Sequence, residues 1–189
     1  SSAMIRSLFI SKGALEKGAA RPKDVPDQRV RTVGILGAGM MGAGIALVAA
    51  QADIKVVLVD QDQNAANKGK QYSEKYLTDG IKRGKISEKI KEKTLNRILA
   101  TDDYKKLTDA DLIIEAVFED TKVKSDVTKA AVEVIHKDCI FASNTSTLPI
   151  SELAKASKNP ENYIGIHFFS PVEKMLLVEI IKGEKTEAR

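Results

Sequence analysis

Six residues constrain this chain more than any others. Gly37-Ala38-Gly39-Met40-Met41-Gly42 is a G-x-G-x-x-G that follows a predicted strand, Thr32 to Leu36, and opens a predicted helix, Met40 to Ala52. Each glycine answers a separate steric demand: Gly37 for a tight turn, Gly39 so that backbone can touch a pyrophosphate, Gly42 so that helix and sheet pack closely. The helix start then turns free N–H groups and the positive end of its dipole toward phosphate. A bare hexapeptide of this kind is often only a flexible turn. Here Asp60 ends the second predicted strand, 18 residues beyond Gly42, where a carboxylate can accept both hydroxyls of an adenosine ribose. The competing reading of an Asp at a strand end is a helix cap. The carboxylate also repels a 2′-phosphate, and Gln61, Asp62 and Gln63 bring no Arg after it, so the expected cofactor is NAD rather than NADP.

Around this motif short apolar runs alternate with helical stretches, the pattern of a parallel sheet covered on both faces. Thr32 to Leu36, Ile54 to Val59, Leu112 to Val117, Ile140 to Ala142, Tyr163 to Ile166 and Leu176 to Ile181 read as strands fit for burial on both faces. Between the second and third, Gln61 to Thr108 carries Tyr72, Tyr76, Ile81, Ile86, Ile90 and Leu95 at helical spacing, and Gly80 and Gly84 are expected to break it into a helical hairpin. The fold expected is α/β, a Rossmann-type doubly wound, mainly parallel sheet with a helical-hairpin insertion after the second strand. Residues 1–28 read as a cloning scar, Ser1 to Met4, followed by an interdomain linker, because Gly13 to Gln28 is rich in Lys, Gly, Ala and Pro and has little to bury. The Rossmann domain is expected over 29–185.

At 189 residues the chain can fill one core but not two ordinary ones. Thirty basic against 26 acidic residues leave a net +4, which permits an anionic ligand and falls short of a nucleic-acid footprint. No apolar run approaches the roughly 18 residues of a membrane span. The single cysteine, Cys139, excludes an internal disulfide and suits a reducing compartment, so a cytoplasmic location is expected. No metal site is expected.

Three further segments carry a resemblance: Ile114-Glu115-Ala116-Val117-Phe118-Glu119, Ala142-Ser143-Asn144-Thr145-Ser146-Thr147-Leu148-Pro149-Ile150 and Gly165-Ile166-His167-Phe168-Phe169-Ser170-Pro171. From about Arg31 to Gly183 the chain resembles the NAD-binding domain of L-3-hydroxyacyl-CoA dehydrogenases. Its linker is similar to the segment before that domain in multifunctional fatty-acid β-oxidation α-subunits. The resemblance implies His167 as general base and Glu179 as its acidic partner: His167 takes the proton of a 3-hydroxyl while hydride passes to the nicotinamide. The residues agree. Glu179 lies in an apolar strand, where a carboxylate is expensive without a partner, and it can fix the imidazole tautomer as an Asp does in a hydrolase triad. His136, the other histidine, sits in a polar stretch and reads as exposed.

The resemblance further assigns Ser146 to the reacting oxygen, although Ser in such a loop is by default a turn former. It puts Val117, Phe118 and Glu119 along the nicotinamide side, Lys124 near the ribose, and Ser146 and Ser170 at the end of the pocket. Ser170 departs from the Asn of many relatives, and Leu176 from a common Pro. The resemblance also implies an all-helical C-terminal domain, expected to be absent from this chain, and a parent enzyme that is a homodimer or a complex with a thiolase subunit.

Lys68 to Lys93 holds nine basic residues against four acidic ones, Glu74, Asp79, Glu88 and Glu92. Lysines on a helical hairpin are usually a solvated face; the resemblance adds the phosphates of an acyl-CoA substrate as a second reading. The expected function is therefore oxidation of L-3-hydroxyacyl-CoA to 3-ketoacyl-CoA by the parent enzyme. The alternatives are an isolated NAD-binding module without turnover, or a dehydrogenase of small hydroxy acids, which would share the glycine loop but has no reason to repeat the segments around Ser146 and His167.

Overall fold

The computed structural model describes residues 3, 6–19, 21–22, 25 and 28–188. Arg29–Glu187 forms one compact unit, and the described residues outside it belong to another. In that second unit Arg6–Ser11 is π-helical and leads into an α-helical Lys12–Glu16 that buries none of its residues. Helix at this place was not expected from the sequence.

The first unit is built on seven strands, β1 (Thr32–Leu36), β2 (Lys55–Val59), β3 (Ile98–Thr101), β4 (Leu112–Glu115), β5 (Ile140–Ser143), β6 (Tyr163–Phe168) and β7 (Val178–Lys182). Their order across the sheet is β3-β2-β1-β4-β5-β6-β7, parallel throughout except for the antiparallel β6/β7 pair. The chain runs outward from β1 to β3, then returns to β4 on the other side of β1. That reversal opens a crevice at the C-terminal ends of β1 and β4.

Alternation along the strands builds a core on each face. Val33, Ile35, Val56 and Leu58 join Ile45, Ala46 and Ala50 of α1 (Met40–Gln51) on one side. Leu36, Val57, Val59 and Ile113 join Ala131 of α4 (Thr121–Val132), Phe141 and Tyr163 on the other. Helix α1 is apolar nearly all round and is buried accordingly.

The insertion is helical, with one correction. Helix α2 (Gln63–Lys82), capped by Asp62 accepting from the Ala65 N–H at 2.8 Å, runs straight through Gly80. The chain turns at Gly84, whose φ of +68° suits glycine, and α3 (Glu88–Leu95) follows. Gly80 instead makes room: a Cβ there would stand 2.4 Å from Ile86 Cδ1. The buried stripe of α2 is Ala66, Gly69, Ser73, Leu77 and Gly80, all small but Leu77, so the helix lies close, while Tyr72 and Tyr76 are only half-buried beside it.

Three strand expectations also change. β3 was read as part of the insertion because it follows α3 without Gly or Pro and, at the sheet edge, leaves Leu99 exposed. β4 ends at Glu115, which frees Val117 for the crevice. β7 starts at Val178 rather than Leu176 and is exposed along its whole length; Leu176 itself is 98% exposed. Among the described residues no helix is long and apolar enough to cross a membrane.

Candidate active site

The glycine loop is held by backbone. Gly37 donates its N–H to the Val59 carbonyl at 2.8 Å with φ +94°, and a Cβ on it would stand 2.7 Å from the Ala116 carbonyl oxygen. At Gly42 a Cβ would fall 1.8 Å from the Gly37 carbonyl oxygen, so α1 can approach the loop only as glycine. Gly39 differs: it is the N-cap of α1 without a side chain to cap it, and nothing lies within 4 Å of where a Cβ would stand. The helix start therefore opens on free space.

Asp60 closes the loop from β2. Its Oδ2 accepts the Ala38 N–H at 2.6 Å and its Oδ1 the Gln61 N–H at 2.7 Å. Gly37, Gly39, Asp60, Gln61, Tyr104, Val117, Phe118, Val123 and Val127 are among the residues lining a cavity of about 420 Å³. Tyr104 was not anticipated. It sits on a single 3₁₀ turn after the unrecognised β3, and burial, then the nearby Asp60 charge, push its phenol above the usual range.

A second cavity, about 340 Å³, shares Ala116 and Val117 with the first and continues past Met41, Glu119, Asn144, Ser146, His167, Phe168, Phe169 and Ser170. His167 and Glu179 face each other across the antiparallel β6/β7 ladder, with Nδ1 and Oε2 2.8 Å apart. The imidazole is 19% exposed and the carboxylate 52%. Desolvation in a buried strand is thus not what demands a partner for Glu179; strand register supplies the partner. Phe169 packs on the imidazole at 4.6 Å between ring centres. Asn144 ties the end of β6 to the site by accepting the Phe168 N–H at 2.8 Å. The Ser170 hydroxyl lies 3.9 Å from Met40 Sδ, so the loop after β6 reaches the start of α1.

Beneath the wall between the cavities lies a buried ionic cluster. Glu115 is 0% exposed and Lys124 1%, with Nζ 2.8 Å from Glu115 Oε1 and 3.1 Å from Glu119 Oε2. Glu119 in turn accepts from the Thr145 hydroxyl at 2.5 Å and the Ser146 N–H at 3.0 Å. Burial pushes the Glu119 carboxyl up, but hydrogen bonds from Thr145 and Lys124, the Lys124 charge and the Ser146 N–H together hold it at about 2.

The expected residues therefore gather at one end of the sheet: Gly37 to Gly42 and Asp60 on one side, Ser146, His167, Glu179 and Ser170 on the other, Val117 in both cavities and Phe118 exposed at the rim of the first. Lys124 lines neither cavity and stands behind Glu119. Glu115, like Tyr104, is a residue that no spacing singles out; an acidic residue closing an otherwise apolar strand is the available signal for it. Among the described residues no cluster of His, Cys, Asp and Glu could hold a metal ion.

Residues 32–189 match the family model described as the NAD-binding domain of 3-hydroxyacyl-CoA dehydrogenase. The chain is 40% identical over 188 residues to the fatty acid oxidation complex subunit alpha of Shewanella halifaxensis, covering 99% of this chain and 26% of that protein. It therefore spans about a quarter of the length of such curated relatives. Among solved structures it is similar to (S)-3-hydroxybutyryl-CoA dehydrogenase from Ralstonia eutropha, at TM-score 0.81 and 39% identity over 84% of this chain and 56% of that one. The dehydrogenase part of multifunctional enzyme 1 from C. elegans gives TM-score 0.76 and 33% identity over 89% of this chain and 40% of that one.

Proposed function

The chain belongs to the family of 3-hydroxyacyl-CoA dehydrogenase NAD-binding domains, and from that membership we propose that it is the cofactor half of an enzyme oxidising L-3-hydroxyacyl-CoA to 3-ketoacyl-CoA. The observation that carries the reading is the pair of adjoining cavities: one ends on Asp60 and the open start of α1, the other on His167. The residues fit NAD. The space before Gly39 can take a pyrophosphate and Asp60 a ribose.

When bound, NAD supplies the hydride acceptor. His167 carries the proton chemistry: with Nδ1 donating to Glu179, Nε2 is left to accept the proton of the 3-hydroxyl, and Glu179 then stabilises the imidazolium. Ser146 offers its hydroxyl to the reacting oxygen. Val117, Phe118, Glu119 and Ser170 form the nicotinamide wall, and Lys124 acts there through Glu119. Residues 29–185 serve as the domain proper and 1–28 as a linker within a longer, cytoplasmic β-oxidation α-subunit that works as a homodimer or beside a thiolase subunit.

Leu176, just before β7, and Ile180 on it are both exposed, which supports the view that turnover needs a further covering domain. The test measures NADH binding and acetoacetyl-CoA reduction by this chain, then by the chain joined to the C-terminal dehydrogenase part of a relative. Binding without turnover, rescued by joining, is expected. A folded chain that fails to bind NADH overturns the assignment.

A further inference from the structure

We infer that Glu115 is a positioning residue for the nicotinamide side of the site, acting through Val117, Ser143 and Lys124. The inference rests on the NAD-domain reading above. Glu115 sits at the last position of β4, between Leu36 of β1 and Ser143 of β5, where the sheet reverses direction. Its carboxylate takes four bonds, all from protein: Oε1 accepts the Val117 N–H and Lys124 Nζ, each at 2.8 Å, and Oε2 accepts the Ser143 hydroxyl at 2.7 Å and Lys124 Nζ at 3.1 Å.

Each partner leads to the cleft by a separate route. Val117 lines both cavities. Ser143 precedes the loop that carries Asn144 and Ser146, and the Asn144 N–H donates to the Glu115 carbonyl at 2.7 Å. Lys124 hands its remaining bond to Glu119, which gathers Thr145 and the Ser146 N–H.

Stability does not explain the arrangement, since an apolar pair of similar volume usually serves a core as well as a buried ion pair. Geometry does. One carboxylate sets the 116–119 turn and the 143–147 loop relative to each other. None of its contacts reaches Asp60 or Gly39, and the only one that borders the Asp60 cavity is Val117, so the adenosine side leans on it far less than the nicotinamide side does.

That asymmetry supplies the test. NADH and ADP, which lacks the nicotinamide half, are titrated against the chain and its Glu115→Gln variant, with folding checked by circular dichroism. The variant is expected to lose about tenfold or more in NADH affinity, the scale of one charged hydrogen bond, and to keep ADP affinity within about twofold. A merely structural role moves both ligands together or neither, and either result overturns the inference. Should Glu115→Gln not fold, the double variant E115M/K124M, which removes both charges and leaves no unpaired buried ion, is measured for the same NADH-to-ADP split against wild type. A double variant that keeps NADH affinity within about twofold, or that loses both ligands together, overturns the inference equally. Wild-type chain binding neither ligand sinks the cofactor reading itself.

Discussion

His167 and Glu179 are direct neighbours across an antiparallel ladder, and the 2.8 Å contact of Nδ1 with Oε2 is set by register before any catalytic demand is placed on it. A slip of β7 by one residue would send Glu179 to the opposite face of the sheet. The dyad therefore depends on β7 being held, although that strand is exposed throughout.

In the chain joined to a C-terminal dehydrogenase part, His167→Gln is expected to lower kcat by about a hundredfold or more, the usual worth of a positioned general base. NADH affinity should stay within about twofold, because the imidazole's established contacts are Glu179 and Phe169 rather than the glycine loop. Glu179→Gln should act in the same direction by losing the tautomer constraint. Full activity in either variant, read by steady-state acetoacetyl-CoA reduction, removes that residue from the mechanism.

Asp60→Ala is expected to weaken NADH binding by about tenfold or more, since hydrogen bonds to a charged group are worth roughly 1.5–3 kcal/mol. The loss has two parts. The ribose loses its acceptor, and the Ala38 N–H loses the carboxylate that holds the loop at 2.6 Å. Preference for NADH over NADPH should also fall, because the charge that repels a 2′-phosphate is gone. Fluorescence titration with both cofactors reads the two effects separately.

The parts of the molecule legible in the sequence were those where one residue type meets one local demand. Gly37, Gly42 and Asp60 answer to backbone contacts within a single β-α-β unit, so spacing alone locates them. His167 and Glu179 are legible only through family resemblance, because β7 is an exposed edge strand and burial is no guide to Glu179. β3 was lost for the complementary reason: four residues, Ile98 to Thr101, carry too little period to separate from the helix before them. Glu115 stayed hidden because its partners, Ser143 and Lys124, become its neighbours only through strand pairing and a helix turn.

Glu119 carries a pH dependence with a definite sign. Its carboxyl falls from an ordinary 4.5 to about 2 in the folded chain. A depressed folded pKa means that its contribution to stability is complete above about 4.5 and is lost as pH falls toward 2. Glu119→Gln cannot titrate. Its melting temperature should lie below wild type at pH 7, with the gap closing between pH 4.5 and 2. A gap that is constant across that interval would mean that Glu119 is not held as an anion by Thr145 and Lys124.

The glycine loop separates folding from binding within four residues. Gly42→Ala places a methyl 1.8 Å from the Gly37 carbonyl oxygen, a backbone atom that cannot move without shifting β1 or α1. It should cost about 3 kcal/mol or more, the range of severe overpacking, and lower the melting temperature by many degrees. Gly39→Ala places its methyl in open space at the start of α1, at an ordinary negative φ of −67°, and should leave the melting temperature within a few degrees of wild type. Yet that open space is where a pyrophosphate would meet the helix, so NADH affinity should fall by about tenfold or more while the fold is intact. Paired thermal melts and NADH titrations on the two variants check both halves. If Gly39→Ala bound NADH as wild type does, the diphosphate would have to lie elsewhere than at the start of α1.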